Sequence, residues 1–159
     1  MEKLLSPIYL DKIDLELLNL LQKNAKMTHK QLSLQLNLST TAIYERIKKL
    51  ENSGVIEGYA ALLNRKKLGK ELLVFSNIKL VRHSQENIEM FEQKISKLPE
   101  VQECYHISGD YDYILKMSFP SMDVYRDFMV NKLTTISCIG SSQSQFVIKE
   151  VKSEVGYVL

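Results

Sequence analysis

The sequence predicts an α+β protein in two parts: a helix-turn-helix domain over residues 1–63 and a ferredoxin-like βαββαβ domain over residues 64–159. Three observations predict it. Apolar residues recur at helical spacing through residues 11–53. Two helix-start signals, at Thr28 and Ser39, stand so close that the first of those helices must be short and the turn after it tight. Past residues 64–71 the pattern changes to strand-like runs at 72–81 and 101–118, each followed by helical spacing.

The first helix starts at Asp11, a good N-cap, and runs to about Lys23, with Ile13, Leu17 and Leu21 on one stripe and Asn24 at its end. Thr28 opens the second, because Thr28 and Gln31 have the spacing of a capping box, in which each side chain satisfies a free backbone N–H. Leu32 and Leu36 face inward, and Asn37 suits a left-handed turn. Ser39 caps a third, longer helix to about Ser53, whose buried stripe is Ile43, Ile47 and Leu50, and Gly54 follows where a helix C-terminus favours positive φ. Residues 55–63 read as an extended tether or small wing.

The second half reads strand Leu72–Val81, helix Gln85–Lys97, strand Val101–Ser108, a Gly109–Asp112 turn, strand to Phe119, helix from Ser121 or Asp123 to about Leu133, and strand Gln145–Val151. That order is the split βαβ pattern. Phe119, Met122, Tyr125 and Met129 are expected in its core.

The chain has 159 residues, 45% hydrophobic and 25% charged, which suits a packed core. Two half-length domains are each small enough to need support, and self-association is the simplest. Residues 1–67 carry 11 Lys/Arg against 7 Asp/Glu, and residues 68–159 carry 10 against 12. A basic front half suits a polyanion partner. The opening residues have acidic breaks and no small-residue cleavage site, so no signal peptide is expected. No apolar run is long enough to span a membrane. The two cysteines, Cys104 and Cys138, lack zinc spacing, and the chain reads as cytoplasmic.

A helix buried on one side offers the other to a partner. The third helix presents Thr40, Thr41, Tyr44, Glu45, Lys48 and Lys49, with Arg46 at the border. Hydroxyls near a recognition helix's start can meet base edges, and Lys and Arg neutralise phosphates. Thr40, Thr41 and Tyr44 are therefore expected near bases of double-stranded DNA. Arg46, Lys48 and Lys49 are expected near phosphates, with Lys30 and Gln31 reaching from the preceding helix and Ser39 at the helix N-terminus. One such module covers little DNA, so a dimer is expected. In the second half, Gly109 lets backbone approach a ligand. Asp110 or Asp112 could accept bonds from an ammonium, and Ser142 and Ser144 share a strand face. The same Gly-Asp-Tyr-Asp is also an ordinary hairpin turn. Cys104 and His106 share a strand face near Asp110 and Asp112, but spacing fixes no third ligand and no metal is expected.

Several runs together resemble one family: Leu10–Asp14, Leu21–Ala25, Leu38-Ser39, Arg46–Glu51, Gly54–Ile56, Gly58-Tyr59, Leu63-Asn64, Leu68-Gly69, Pro99–Val101, Cys104, Ser108–Tyr113, Phe146–Lys149 and Lys152. Their order and spacing closely resemble the Lrp/AsnC, or feast/famine, regulators over nearly the whole chain. The resemblance implies a winged helix-turn-helix followed by a ferredoxin-like regulatory domain. It further implies dimers that assemble into octamers, and an amino-acid effector bound between dimers near the loop Gly109, Asp110, Tyr111 and Asp112. One departure is visible: the family's usual Pro-Gly-Val before the last strand is Ser137-Cys-Ile139 here, with Gly140 displaced.

The reading is a DNA-binding transcription regulator that is no enzyme and needs no cofactor beyond an amino-acid effector. An architectural DNA-wrapping protein without effector is the alternative in the same class. A metal- or small-molecule-handling ferredoxin-like protein is the alternative in another. No catalytic constellation or phosphate-binding glycine loop supports the last.

Overall fold

The computed structural model describes residues 9–154 and 156–159. The first eight residues, on which part of the signal-peptide reading falls, lie outside them. One compact unit ends at Ala61 and takes in the tail from Lys152, and the other spans Leu62–Val151. By its contacts the tail thus groups with the helical unit.

The helical unit holds α1 (Lys12–Lys23), α2 (His29–Leu36) and α3 (Thr40–Asn52). Local chemistry fixes their ends. Asp11 Oδ1 accepts from the Asp14 N–H at 2.8 Å, and Asp14 Oδ2 accepts from the Asp11 N–H at 3.3 Å. Thr28 and Gln31 form the second capping box. Asn37 takes φ 53° and ψ 43°, turning the chain left-handed between α2 and α3. Ser39 Oγ then accepts from the Ala42 N–H and starts α3. Leu17, Leu18, Leu21, Leu32, Ile43, Ile47 and Leu50 form the buried core. Val55 and Ile56 pack against it, and residues 57–64 form no strand.

A second link joins α1 to α3. The Asp14 side chain is fully buried and meets Arg46 Nη1 at 2.6 Å, and the same nitrogen reaches Asp11 Oδ2 at 2.7 Å. Lys49 Nζ stands 3.4 Å from Asp14 Oδ2. The Asp14 N–H, then the Arg46 guanidinium, hold the Asp11 carboxyl below its ordinary range. The tail is held to α1 by one side chain. Gln22 Oε1 accepts from the Tyr157 N–H at 2.6 Å, and Gln22 Nε2 donates to the Tyr157 carbonyl at 3.2 Å. Gly156 has φ 152°, and a Cβ there would lie 2.9 Å from Gln22 Oε1. The docked path therefore favours glycine.

The second unit is an antiparallel four-stranded sheet of order β2-β3-β1-β4, from β1 (Leu72–Leu80), β2 (Val101–His106), β3 (Tyr113–Phe119) and β4 (Ile139–Phe146). Helices α4 (Gln85–Ile95) and α5 (Met122–Asn131) give Phe91, Ile95 and Phe128 to a core with Val74, Ile78, Leu115 and Met117. Tyr125 and Met129 pack at its edge, and Phe119 is buried. Met122 is exposed instead, because Ser121 caps α5 and the first turn points it outward.

The last strand starts six residues before its expected start at Gln145. Ile139–Phe146 is rich in serine and glutamine and resembles a loop in composition. Pairing with β1 from Val74 to Leu80 makes it a strand, and partners this distant in sequence cannot be read from local pattern. Gly140, displaced from the family's usual position, lies beside a register shift at Lys79/Leu80. A Cβ at Gly140 would stand 3.2 Å from the Leu80 carbonyl and the Val81 backbone. The glycine lets β4 close on the bulge.

Two tests follow from these links. Arg46→Ala leaves the buried Asp14 carboxylate with the Asp11 N–H and the longer Lys49 contact. We expect a loss of about 3 kcal/mol in urea unfolding of the helical unit, the scale of breaking a buried pair from one side. A loss under about 1 kcal/mol would show that the pair is not a strut. Gln22→Ala should leave stability nearly unchanged while amide exchange at Tyr157 accelerates about fivefold or more, as expected for one lost hydrogen bond.

Candidate functional site

The outward side of α3 carries the DNA-facing candidates. Thr40, Thr41, Tyr44, Lys48 and Lys49 are all exposed, while Ile43, Ile47 and Leu50 are buried beneath them. Tyr44 does not stand alone. The His29 ring, at the first position of α2, meets it edge-on at 5.8 Å between centroids, and Lys48 Nζ lies 5.7 Å from the Tyr44 centroid. Lys30 is exposed on α2 beside His29.

Four of the expected contacts also serve the fold, Lys49 among them through Asp14 at 3.4 Å. Arg46 turns its Nη1 to Asp11 and Asp14. The carboxylates of Asp11 and Asp14 lie 35 and 32 residues before Arg46, so only the folded core reveals the pairing. Gln31 Oε1 accepts from the Thr28 N–H at 2.8 Å, and Ser39 Oγ caps α3. These two shape the turn whether or not DNA is near.

In the sheet unit, the segment from Ile107 to Asp112 closes the hairpin between β2 and β3. Gly109 has φ 128°, a conformation that favours glycine. Asp112 is its anchor. Its Oδ2 accepts from the Leu80 N–H at 2.7 Å, and Oδ1 lies 3.1 Å from His83 Nδ1. Its own N–H donates to the Ile78 carbonyl, and its carbonyl accepts from the Ile107 N–H. The Leu80 N–H, followed by the His83 hydrogen bond, holds its carboxyl below the ordinary range. Asp112 therefore fixes the loop rather than standing free for an ammonium group. The Tyr111 hydroxyl donates to Gln143 Oε1 at 2.8 Å and ties the loop to β4. Ser144 is likewise engaged, 2.7 Å from the Ser76 hydroxyl across the β1–β4 pair. Asp110 and Ser142 are exposed, and among the described residues neither side chain has a hydrogen-bond partner.

Cys104 and His106 do not come together as ligands. Burial, then the Glu92 charge, pushes the Cys104 thiol up to about 11, so it is protonated at neutral pH and poorly suited to metal. His106 stacks on Tyr113 at 4.6 Å. Among the described residues no three His, Cys, Asp or Glu side chains gather around a common point. No helix among them is long and apolar enough to cross a membrane.

The sequence reads His29 and His83 as exposed polar residues, which they are, without their contacts to Tyr44 and Asp112, and it singles out no role for Arg65. Arg65 donates to the Lys70 and Glu71 carbonyls and pairs with Glu150 at 2.7 Å. Each is an isolated polar residue with its partner in another element, so no spacing signals it.

Comparison with known proteins agrees with this geometry. The winged helix-turn-helix DNA-binding family matches residues 10–57, and the Lrp/AsnC ligand binding domain matches residues 73–157. Leucine-responsive regulatory proteins of Escherichia coli K12 and Klebsiella pneumoniae are each 41% identical over 143 residues, covering 90% of this chain and 87% of theirs. A Neisseria meningitidis transcriptional regulator solved with L-Met superposes with a TM-score of 0.90 at 32% identity, over 94% of this chain and 97% of that one. An AsnC family regulator from Agrobacterium tumefaciens gives 0.88 at 32% identity, over the same shares of the two chains. A helix-turn-helix with an open polar face, an antiparallel sheet unit with a pinned hairpin loop, and these likenesses together establish that the chain belongs to the Lrp/AsnC family of DNA-binding transcription regulators.

Proposed function

We propose that this regulator reads specific sequences of duplex DNA as a homo-oligomer in the cytoplasm, built from dimers up to an octamer, and answers to an amino acid. The observation that carries the reading is the exposed face of α3. Thr40, Thr41 and Tyr44 sit in its first two turns, where base edges are met, and Lys48 and Lys49 follow where phosphates run. Lys30 adds a cation from α2.

Oligomer formation is supported by apolar side chains left in water along one stretch. Leu62, Leu63 and Leu68 are 77%, 71% and 60% exposed, and Tyr59 is 53% exposed. Such a run suits cover by a second copy. The effector class is supported by the L-Met complex of the Neisseria relative. Of the loop residues, Gly109 and Asp110 retain open backbone and carboxylate, and Ser142 a free hydroxyl. Tyr111, Asp112 and Ser144 hold them in place.

Gel-shift titration of a mixed-sequence duplex across salt concentrations tests DNA binding. Lys48→Ala with Lys49→Ala should weaken affinity at low salt and flatten the log–log salt slope by about one unit per lysine removed. The oligomer should be unchanged by sedimentation. Equal binding by wild type and variant would show that α3 is not the reading helix. For the effector, thermal melts in the presence of each common amino acid should show a rise with at least one. Ligand at a hundredfold excess over its dissociation constant adds about 2.7 kcal/mol. Flat melts across the panel would leave a DNA-wrapping protein with no effector.

A further inference from the structure

We infer that His29 is a positioning residue for DNA specificity: with Lys48 it braces the Tyr44 ring, so that the phenol hydroxyl meets a base edge in one orientation. The inference rests on α3 being the reading helix, as proposed above, and adds a residue outside that helix.

Tyr44 is 45% exposed and lies in the second turn of α3. Its hydroxyl has no hydrogen-bond partner among the described residues. A phenol O–H can both donate and accept, so it can distinguish base edges only if its direction is set. A lone exposed tyrosine would sample several rotamers. Here two side chains limit it. His29 meets the ring edge-on at 5.8 Å with an interplanar angle of 62°, an arrangement the aromatic quadrupole favours. Lys48, one turn along α3, places its ammonium 5.7 Å from the ring centroid, within cation–π range. The brace crosses the turn, because His29 belongs to α2 and the other two to α3. The α2–α3 angle is fixed by the Asn37 turn and by Leu32 and Ile43 beneath it, so the brace is built on a rigid base.

The bare alternative is that His29 merely shields one ring edge. The two are separated by selecting bound sequences from a fully randomised duplex pool, with the full-length protein as wild type, His29→Ala, His29→Phe and Tyr44→Phe. Alanine is compatible with the first position of α2, and phenylalanine restores an aromatic edge. Affinity for a mixed-sequence duplex is measured in parallel. Wild type should enrich a motif. His29→Ala should reduce the preference at one base-pair position by about two- to tenfold, the range of one aromatic contact, and leave mixed-sequence affinity within about twofold. Tyr44→Phe should lose preference at that same position, and His29→Phe should keep it. The inference is overturned if His29→Ala returns the wild-type motif with its weights intact, or if its preferences fall evenly at all positions. Loss by His29→Phe equal to that of alanine, or retention by Tyr44→Phe, overturns it too. A wild type that binds duplex without enriching any motif would overturn sequence-specific reading itself, and this inference with it.

Discussion

The buried Asp14 carboxylate is the constraint on which the DNA-binding unit turns. A charge with no exposure to water must be paired or it destabilises the fold. Arg46 supplies the pairing and, through Asp11, fastens the start of α1 to the middle of α3. Because Arg46 points into that seam, the rest of α3 has little choice of orientation. Ile43, Ile47 and Leu50 turn to the core, and Thr40, Thr41, Tyr44 and Lys48 turn out. The exposed face of α3 is thus a consequence of an inward salt bridge and not only of an amphipathic stripe. A hydrophobic stripe by itself tolerates several degrees of helix rotation. Two carboxylates on one guanidinium nitrogen tolerate much less.

The same economy appears in the sheet unit. Asp112 could have been a ligand group by type and by position. Its two oxygens instead hold the Leu80 N–H and His83, and its backbone closes the hairpin at Ile107 and Ile78. A loop pinned this way holds the Gly109 backbone and the Asp110 carboxylate in one arrangement. Tyr111 and Ser144 extend the anchoring to β4 and β1. The displaced Gly140 fits this arrangement, since it lets β4 approach a bulge at the end of β1 on the side where Tyr111 meets Gln143.

Much of the fold was legible in the sequence because the informative chemistry is local. Asp11, Thr28, Ser39 and Ser121 each cap a helix from within three residues, and Asn37 takes the left-handed turn its side chain tolerates. The open face of α3 followed from spacing alone. What could not be read involves partners far apart in the chain. β4 became a strand through β1, some sixty residues earlier. Arg46, placed at the border of the stripe, read as a phosphate contact because its acidic partners lie at the start of α1. Asp112 and Ser144 read as ligand groups because nothing nearby in sequence claimed them. Met122 was mistaken for core because a helix's first turn often points away from the stripe that its later turns form.

Each unit fastens the chain near the points where it leaves for the other. The chain passes between the units at Ala61–Leu62 and again at Val151–Lys152. Each passage is secured close by. Arg65 holds the Lys70 and Glu71 carbonyls and Glu150 within the sheet unit, so the two ends of that unit are tied to each other. Gln22 receives the returning tail on α1 through both the N–H and the carbonyl of Tyr157. The clip is exposed and made of two ordinary hydrogen bonds, so its opening costs little compared with unfolding the helical core. Release of the tail from α1 therefore leaves the Asp14–Arg46 strut that orients α3 in place.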